Sequence, residues 1–212
     1  MLIKQRRIGL TGGIASGKST VGQLLHGRFG LPVLDADRFA REALAPGTAA
    51  TAAVLARYGA AVGATGSEPE GATAAAIDRA ALGRIVFADA AERQWLEQLI
   101  HPEVRRRFAL ELERLDAEPV VVLMIPLLFE AGLQELCSEV WLVSCDEARQ
   151  LERLQKRDGL RGDDARQRLA AQWPLARKRT LADVVISNDG DREQLLPELE
   201  RLLGQAPETV QG

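Results

Sequence analysis

Residues 12–19 read Gly-Gly-Ile-Ala-Ser-Gly-Lys-Ser, which satisfies the spacing G-x-x-x-x-G-K-[ST]. No other string in the chain restricts the fold as much, because this one works only as a turn between a buried strand and a helix. The flanks agree with that requirement. Ile8-Gly9-Leu10 is a short apolar run suited to a strand, and Thr20-Val21-Gly22-Gln23-Leu24-Leu25 can continue as a helix. Gly12, Gly13 and Gly17 omit Cβ atoms where backbone must wrap closely around an anion. Backbone N–H groups through Ile14, Ala15 and Ser16 then point inward, helped by the positive end of the following helix. Lys18 brings a mobile charge to the β- and γ-phosphates, and the Ser19 hydroxyl is placed to ligate Mg²⁺. Gly12 through Thr20 therefore predict a nucleoside triphosphate site.

The rest of the chain sets the frame for that loop. Four further apolar runs are expected as buried parallel strands: Pro32–Leu34, Val120–Ile125, Val140–Val143 and Val184–Ile186. Helical patterns lie between them, which predicts an α/β fold with a doubly wound sheet and its ligand at the carboxyl ends of the strands. Arg93–Ile100 and Glu103–Leu115 flank His101-Pro102, where proline is expected to close one helix and open the next. Ser144-Cys145-Asp146-Glu147 has capping-box spacing and is expected to start a helix through about Arg157. Glu193–Leu203 reads as a final amphipathic helix, followed by a frayed tail over 205–212. Residues 43–76 are alanine-rich, then rich in Gly, Ser and Pro, and predict a helix followed by a passive surface loop.

With 212 residues, 46% hydrophobic and 27% charged, one well-buried core is expected. The net charge of −3 argues against nucleic acid as a partner. No apolar window is long enough to span a membrane. Met1–Arg7 runs directly into the first strand, so no leader is expected and a cytoplasmic location is. Cys137 and Cys145 are expected as reduced, buried thiols. The tryptophans Trp95, Trp141 and Trp173 are expected in packing.

Charge is concentrated in one place. From Arg149 to Arg179 the chain carries +6, against −9 for the remainder. Arg149, Arg153, Lys156 and Arg157 share one helix face. Asp158-Gly159 breaks that helix, and a second is expected near Asp163-Asp164. Two short basic helices around a turn suit a lid over polyphosphate, with arginine stabilising a transferring phosphoryl group. The plainer reading is a solvated helix face with a Glu152–Lys156 pair. Asp35-Ala36-Asp37 puts two carboxylates at the end of the second strand, where a phosphotransferase needs one to deprotonate its acceptor. Alternatively, one of them caps a helix starting at Arg38. Pro126-Leu127-Leu128-Phe129-Glu130 follows the most hydrophobic strand, with no aspartate at its end to hold metal. His101 could meet an anionic substrate or serve structure alone.

Taken together, these residues resemble the dephospho-CoA kinase family nearly end to end, from Ile8 to about Leu203. The resemblance rests on Leu10 through Thr20, Asp35-Ala36-Asp37, Pro46-Gly47-Thr48, Asp78-Arg79 and His101-Pro102. It continues through Pro126-Leu127-Leu128-Phe129-Glu130, Arg153 with Arg157-Asp158, Ala171-Gln172, Lys178 and Ala182-Asp183 to Asn188. It implies a P-loop NTPase fold like that of nucleoside-monophosphate kinases: a three-layer α/β/α core with a five-stranded parallel sheet, a helical lid and an acceptor-binding subdomain. The implied boundaries are core about 1–36, 116–145 and 181–204, acceptor subdomain about 37–115 and lid about 146–180, all in one kinase domain. The implied reaction is ATP- and Mg²⁺-dependent phosphorylation of the ribose 3′-hydroxyl of dephospho-CoA. Asp37 would be the general base and Asp35 would shape the acceptor site. Lys18 with Arg153 or Arg157 would stabilise the phosphoryl group. Thr11, His101 and Glu130 would line the acceptor side, and Asn188 would lie near adenine. The family usually has glycine where Ala15 stands, and residues 64–76 look longer than the matching family segment. A kinase for another small metabolite shares most of these features. A GTP-binding switch would need an Asn-Lys-x-Asp motif, which the chain lacks. The oligomeric state is left open.

Overall fold

The computed structural model describes residues 5–63, 76–190 and 192–205. The expected loop over 64–76, apart from its last residue, and the expected tail beyond Gln205 fall outside them.

Each expected strand lies in one parallel sheet: β1 (Arg6–Gly12), β2 (Val33–Asp35), β3 (Val120–Met124), β4 (Glu139–Ser144) and β5 (Val184–Ser187), in the order β2-β3-β1-β4-β5. The register pairs Leu10 with Met124 on one side and Trp141 on the other, and Ser144 with Ser187. Because the strands are parallel, Gly12, Asp35, Met124, Ser144 and Ser187 all end at one edge of the sheet. Two strands begin before their apolar runs do, since Arg6 and Glu139 belong to them and form an ion pair. Arg6 also donates to the carbonyls of Leu202 and Leu203, closing the C-terminal end of α9 (Arg192–Gly204). Glu139 accepts the indole N–H of the buried Trp141 at 2.8 Å.

One face of the sheet buries Ile8, Leu10, Val122, Trp141, Val143 and Ile186 against Val21, Leu24 and Leu25 of α1 (Lys18–Phe29) and Leu195, Leu199 and Leu202 of α9. Each such side chain contributes about 1.5–3 kcal/mol on burial. The basic segment between β4 and β5 forms α6 (Glu147–Asp158), α7 (Gly162–Ala170) and α8 (Leu175–Arg179). Gly159, at φ 65°, ends α6 as expected. The capping box at Ser144 does not form. Ser144 is the last residue of β4, its hydroxyl accepts from Arg179 at 3.0 Å, and α6 starts three residues later. The Asp146 N–H at that start is bonded instead by the Asp189 carboxylate at 2.7 Å. That bond, with one from Ser187, holds the Asp189 carboxyl below its ordinary pKa.

The chain divides into two compact units, Met1–Asp35 with Leu112–Gly212, and Ala36–Glu111. The second is helical: α2 (Ala36–Ala43), α3 (Ala49–Tyr58), α4 (Arg79–Ala88) and most of α5 (Ala90–Arg114). Thr48 caps α3, accepting from the Thr51 N–H, and Asp78 caps α4, accepting from Ala80 and Ala81. Val54, Val62, Ile77, Ala81, Leu82 and Val86 form its core. The expected break at Pro102 is absent, because α5 passes straight through it. Proline removes one helical hydrogen bond there. The buried row Ile100, Val104 and Phe108, at four-residue spacing, continues on either side and outweighs that loss. Cys137 and Cys145 are free thiols; burial pushes the Cys137 thiol up to about 12.

Candidate active site

The loop after β1 makes the expected turn into α1. Two of the N–H groups expected to face an anion are instead engaged within the protein, that of Ile14 by Gln172 and that of Ser16 by Gly13. Gly17 stands at φ 94° just before α1, where a side chain would be strained, and a Cβ there would strike the Asn188 side-chain amide. Within the loop the Ser16 N–H donates to the Gly13 carbonyl at 3.1 Å. The Ser16 hydroxyl is enclosed without a hydrogen-bond partner. Ala15 adopts φ 58°, the one positive φ on a non-glycine among the described residues. Alanine thus stands at a loop position whose backbone conformation favours glycine. An L-residue in that region costs about 1–2 kcal/mol.

Neighbouring elements take hold of the loop's backbone. Asn188 Nδ2 donates to the Ser16 carbonyl at 2.8 Å, and its own N–H donates to Ser144 at 2.7 Å. Its side chain is therefore committed to the loop, and any part it takes near adenine comes through that seat. Arg153 Nη2 donates to the Asn188 carbonyl at 3.1 Å, and Nη1 comes within 3.7 Å of where a Gly17 Cβ would stand. Arg157 behaves differently. It is exposed and grips the adjacent Asp158 at 2.7 and 3.1 Å, while Arg168 meets the same carboxylate at 3.1 Å. Of the two expected lid arginines, only Arg153 stands against the phosphate loop.

Gln150 of α6 donates to the Ile14 carbonyl at 2.7 Å, and Gln172, between α7 and α8, accepts the Ile14 N–H at 2.9 Å. A cavity of about 390 Å³ opens beside Gly13 and Ile14, walled by Cys145, Trp173, Leu175 and Arg179. The guanidinium of Arg177 stacks 3.3 Å from the Trp173 ring centre.

Thr11 is fully buried and donates its hydroxyl to the Pro126 carbonyl at 3.1 Å, which ties β1 to the segment leading to Glu130. Glu130 Oε1 meets the fully buried Lys178 ammonium at 2.7 Å and accepts the Trp173 N–H at 3.2 Å. Its second oxygen, Oε2, has no hydrogen-bond partner. Burying a lysine this completely is costly unless an opposite charge lies beside it. Asp35 ends β2, and α2 begins at Ala36, so neither aspartate caps a helix starting at Arg38. Asp37 is exposed in the first turn of α2, and His101 is half-buried on α5. Lys18 and Ser19 open α1, with Ser19 exposed, and Thr20 follows, its N–H bonded to the Gly17 carbonyl at 2.9 Å.

Residues 6–194 match the model of the dephospho-CoA kinase family. The chain belongs to that family. A dephospho-CoA kinase from Parasynechococcus marenigrum (strain WH8102) is 62% identical over 197 residues, 93% of this chain and 94% of its own length. A Thermus thermophilus protein of solved structure superposes with a TM-score of 0.77 at 37% identity, covering 94% of this chain and 97% of its own. The Campylobacter jejuni dephospho-CoA kinase superposes at 0.63 with 25% identity, covering 93% and 94%. Within this dephospho-CoA kinase family member, Gln150, Gln172 and Asp189 are the site neighbours that sequence reasoning left without a role. Their bonds span 136, 158 and 43 residues, and no local pattern announces them.

Proposed function

We infer that this chain transfers the γ-phosphoryl group of ATP to the ribose 3′-hydroxyl of dephospho-CoA, giving CoA and ADP, the last step of coenzyme A synthesis. The observation that carries the reading is a family match over residues 6–194 on a chain whose phosphate loop is gripped by Asn188 and flanked by Arg153. The helices α6 to α8 act as the lid, and Ala36–Glu111 takes the acceptor. Asp37 deprotonates the 3′-hydroxyl, and Asp35 shapes its approach. Lys18 and Arg153 neutralise charge on the transferring group, with Arg157 in a lesser role. Glu130, held by Lys178, and His101 line the acceptor side, and Thr11 supports Glu130 through Pro126.

The donor set suits Mg²⁺ held largely by phosphate and water oxygens: an exposed Ser19 hydroxyl at the start of α1, and no group of three or more His, Cys, Asp or Glu among the described residues. When bound, the ion would neutralise phosphate charge. No helix among the described residues is long and apolar enough to cross a membrane.

An ADP-release assay with Mg²⁺–ATP tests the reading against dephospho-CoA, adenosine, AMP, CMP and no acceptor. Turnover with dephospho-CoA, yielding CoA, is expected. Phosphorylation of another acceptor at far higher kcat/KM would retire the assignment.

A further inference from the structure

Ile14 is held at both of its backbone polar atoms by side chains from outside the loop. The Gln150 and Gln172 bonds fall on two successive peptide planes, so together they fix the rotation on both sides of the Ile14 Cα. The plane that Gln150 grips is the one joining Ile14 to Ala15, and Ala15 is the residue held at φ 58°. A residue with a Cβ leaves that region when nothing holds it there. Gln150 is well suited to hold it, being 3% exposed on α6 and packed against Gly13, where a Cβ would strike its amide.

We propose that Gln150 and Gln172 are positioning residues for the nucleotide, clamping the Ile14 backbone so that Ala15 keeps the left-handed conformation the phosphate loop requires. The proposal rests on reading Gly12–Ser19 as the ATP site. Both glutamines come from the segment between β4 and β5, so the seating of that segment and the shape of the loop are coupled. Replacing Ala15 by glycine should uncouple them, because glycine holds the same φ without help.

The test is a double-mutant cycle on the full chain, with ATP affinity read by calorimetry in Mg²⁺ and KM read for each substrate. Gln150→Met keeps volume and removes the donor. It should weaken ATP about tenfold beside native Ala15, and about twofold or less combined with Ala15→Gly. The KM for dephospho-CoA should move less than about twofold in both, a split that general destabilisation would not give. Equal losses in the two backgrounds, or no loss in either, would overturn the clamp. If Gln150→Met does not fold, Gln172→Met, at a half-buried turn, decides the matter by the same criteria. A native chain that fails to bind ATP would overturn the nucleotide-site reading itself, whereas binding without coupling overturns the clamp alone.

Discussion

Around the phosphate loop, side chains far away in sequence close on backbone atoms: Asn188 on the Ser16 carbonyl, Gln150 and Gln172 on Ile14. In the helical unit Ala36–Glu111 the long-range ties run mostly between side chains. Phe39 meets Phe108 edge-on at 5.0 Å, Tyr58 meets Trp95 at 5.6 Å, and Arg57 reaches Glu92 at 2.8 Å. The difference follows from what each region must accomplish. A loop has backbone N–H and C=O groups that no regular element satisfies, and each that is not turned toward a ligand needs a partner at one place. A helix satisfies its own backbone, so its packing asks only for apolar surface of suitable shape. Lesions near the loop should change ligand handling, and core lesions in the helical unit should change stability.

The sharpest challenge to that division comes from Asp37, an exposed residue of the helical unit. Asp37→Asn should lower kcat by about 10² or more while ATP affinity holds, as expected for a lost general base. Near-normal turnover would remove it from that role. Next in size is the contrast between two arginines on one helix face. Arg153→Ala should lower kcat by about 10², and Arg157→Ala by no more than about threefold, since Arg157 is already engaged with Asp158. Reversal of that order in steady-state kinetics would make Arg157 the working residue.

Leu82→Ala, in the core of the helical unit, should cost about 2–3 kcal/mol in denaturant melts with ATP affinity unchanged. A large loss of ATP binding would erase the comparison. The smallest effect is a pH dependence. Hydrogen bonds from Arg57, then Tyr58, hold the Glu92 carboxyl at about 2, below its ordinary value of 4.5. A depressed carboxyl stabilises the fold above its unfolded pKa and loses that contribution as protons bind. The stability gap between the native chain and Glu92→Gln should therefore narrow between pH 4.5 and about 2. A gap constant with pH would show that the carboxylate charge contributes nothing.

The sheet was readable because its apolar runs, each three or more residues long, coincide with parallel strands, although the edge strand β5 buries only Ile186 and leaves Val185 exposed. Their ends were not, since Arg6 and Glu139 become strand residues by pairing with each other across β1 and β4. Pro102 and Ser144 misled for a common reason. Local rules assign a break and a cap, and tertiary contacts overrule both: the buried row of α5 carries the helix through, and Asp189 takes over the start of α6. The phosphate loop was legible because its chemistry depends on residues consecutive in sequence. The glutamines that grip it were not, because nothing near Ile14 in sequence marks a partner 136 or 158 residues away.

Amide hydrogen exchange with each substrate added separately tests the division most directly. Mg²⁺–ATP should slow exchange over 12–20 and within α6 to α8, and dephospho-CoA should slow it within Ala36–Glu111. Protection of the phosphate loop alone by dephospho-CoA, with the helical unit unchanged, would contradict the account.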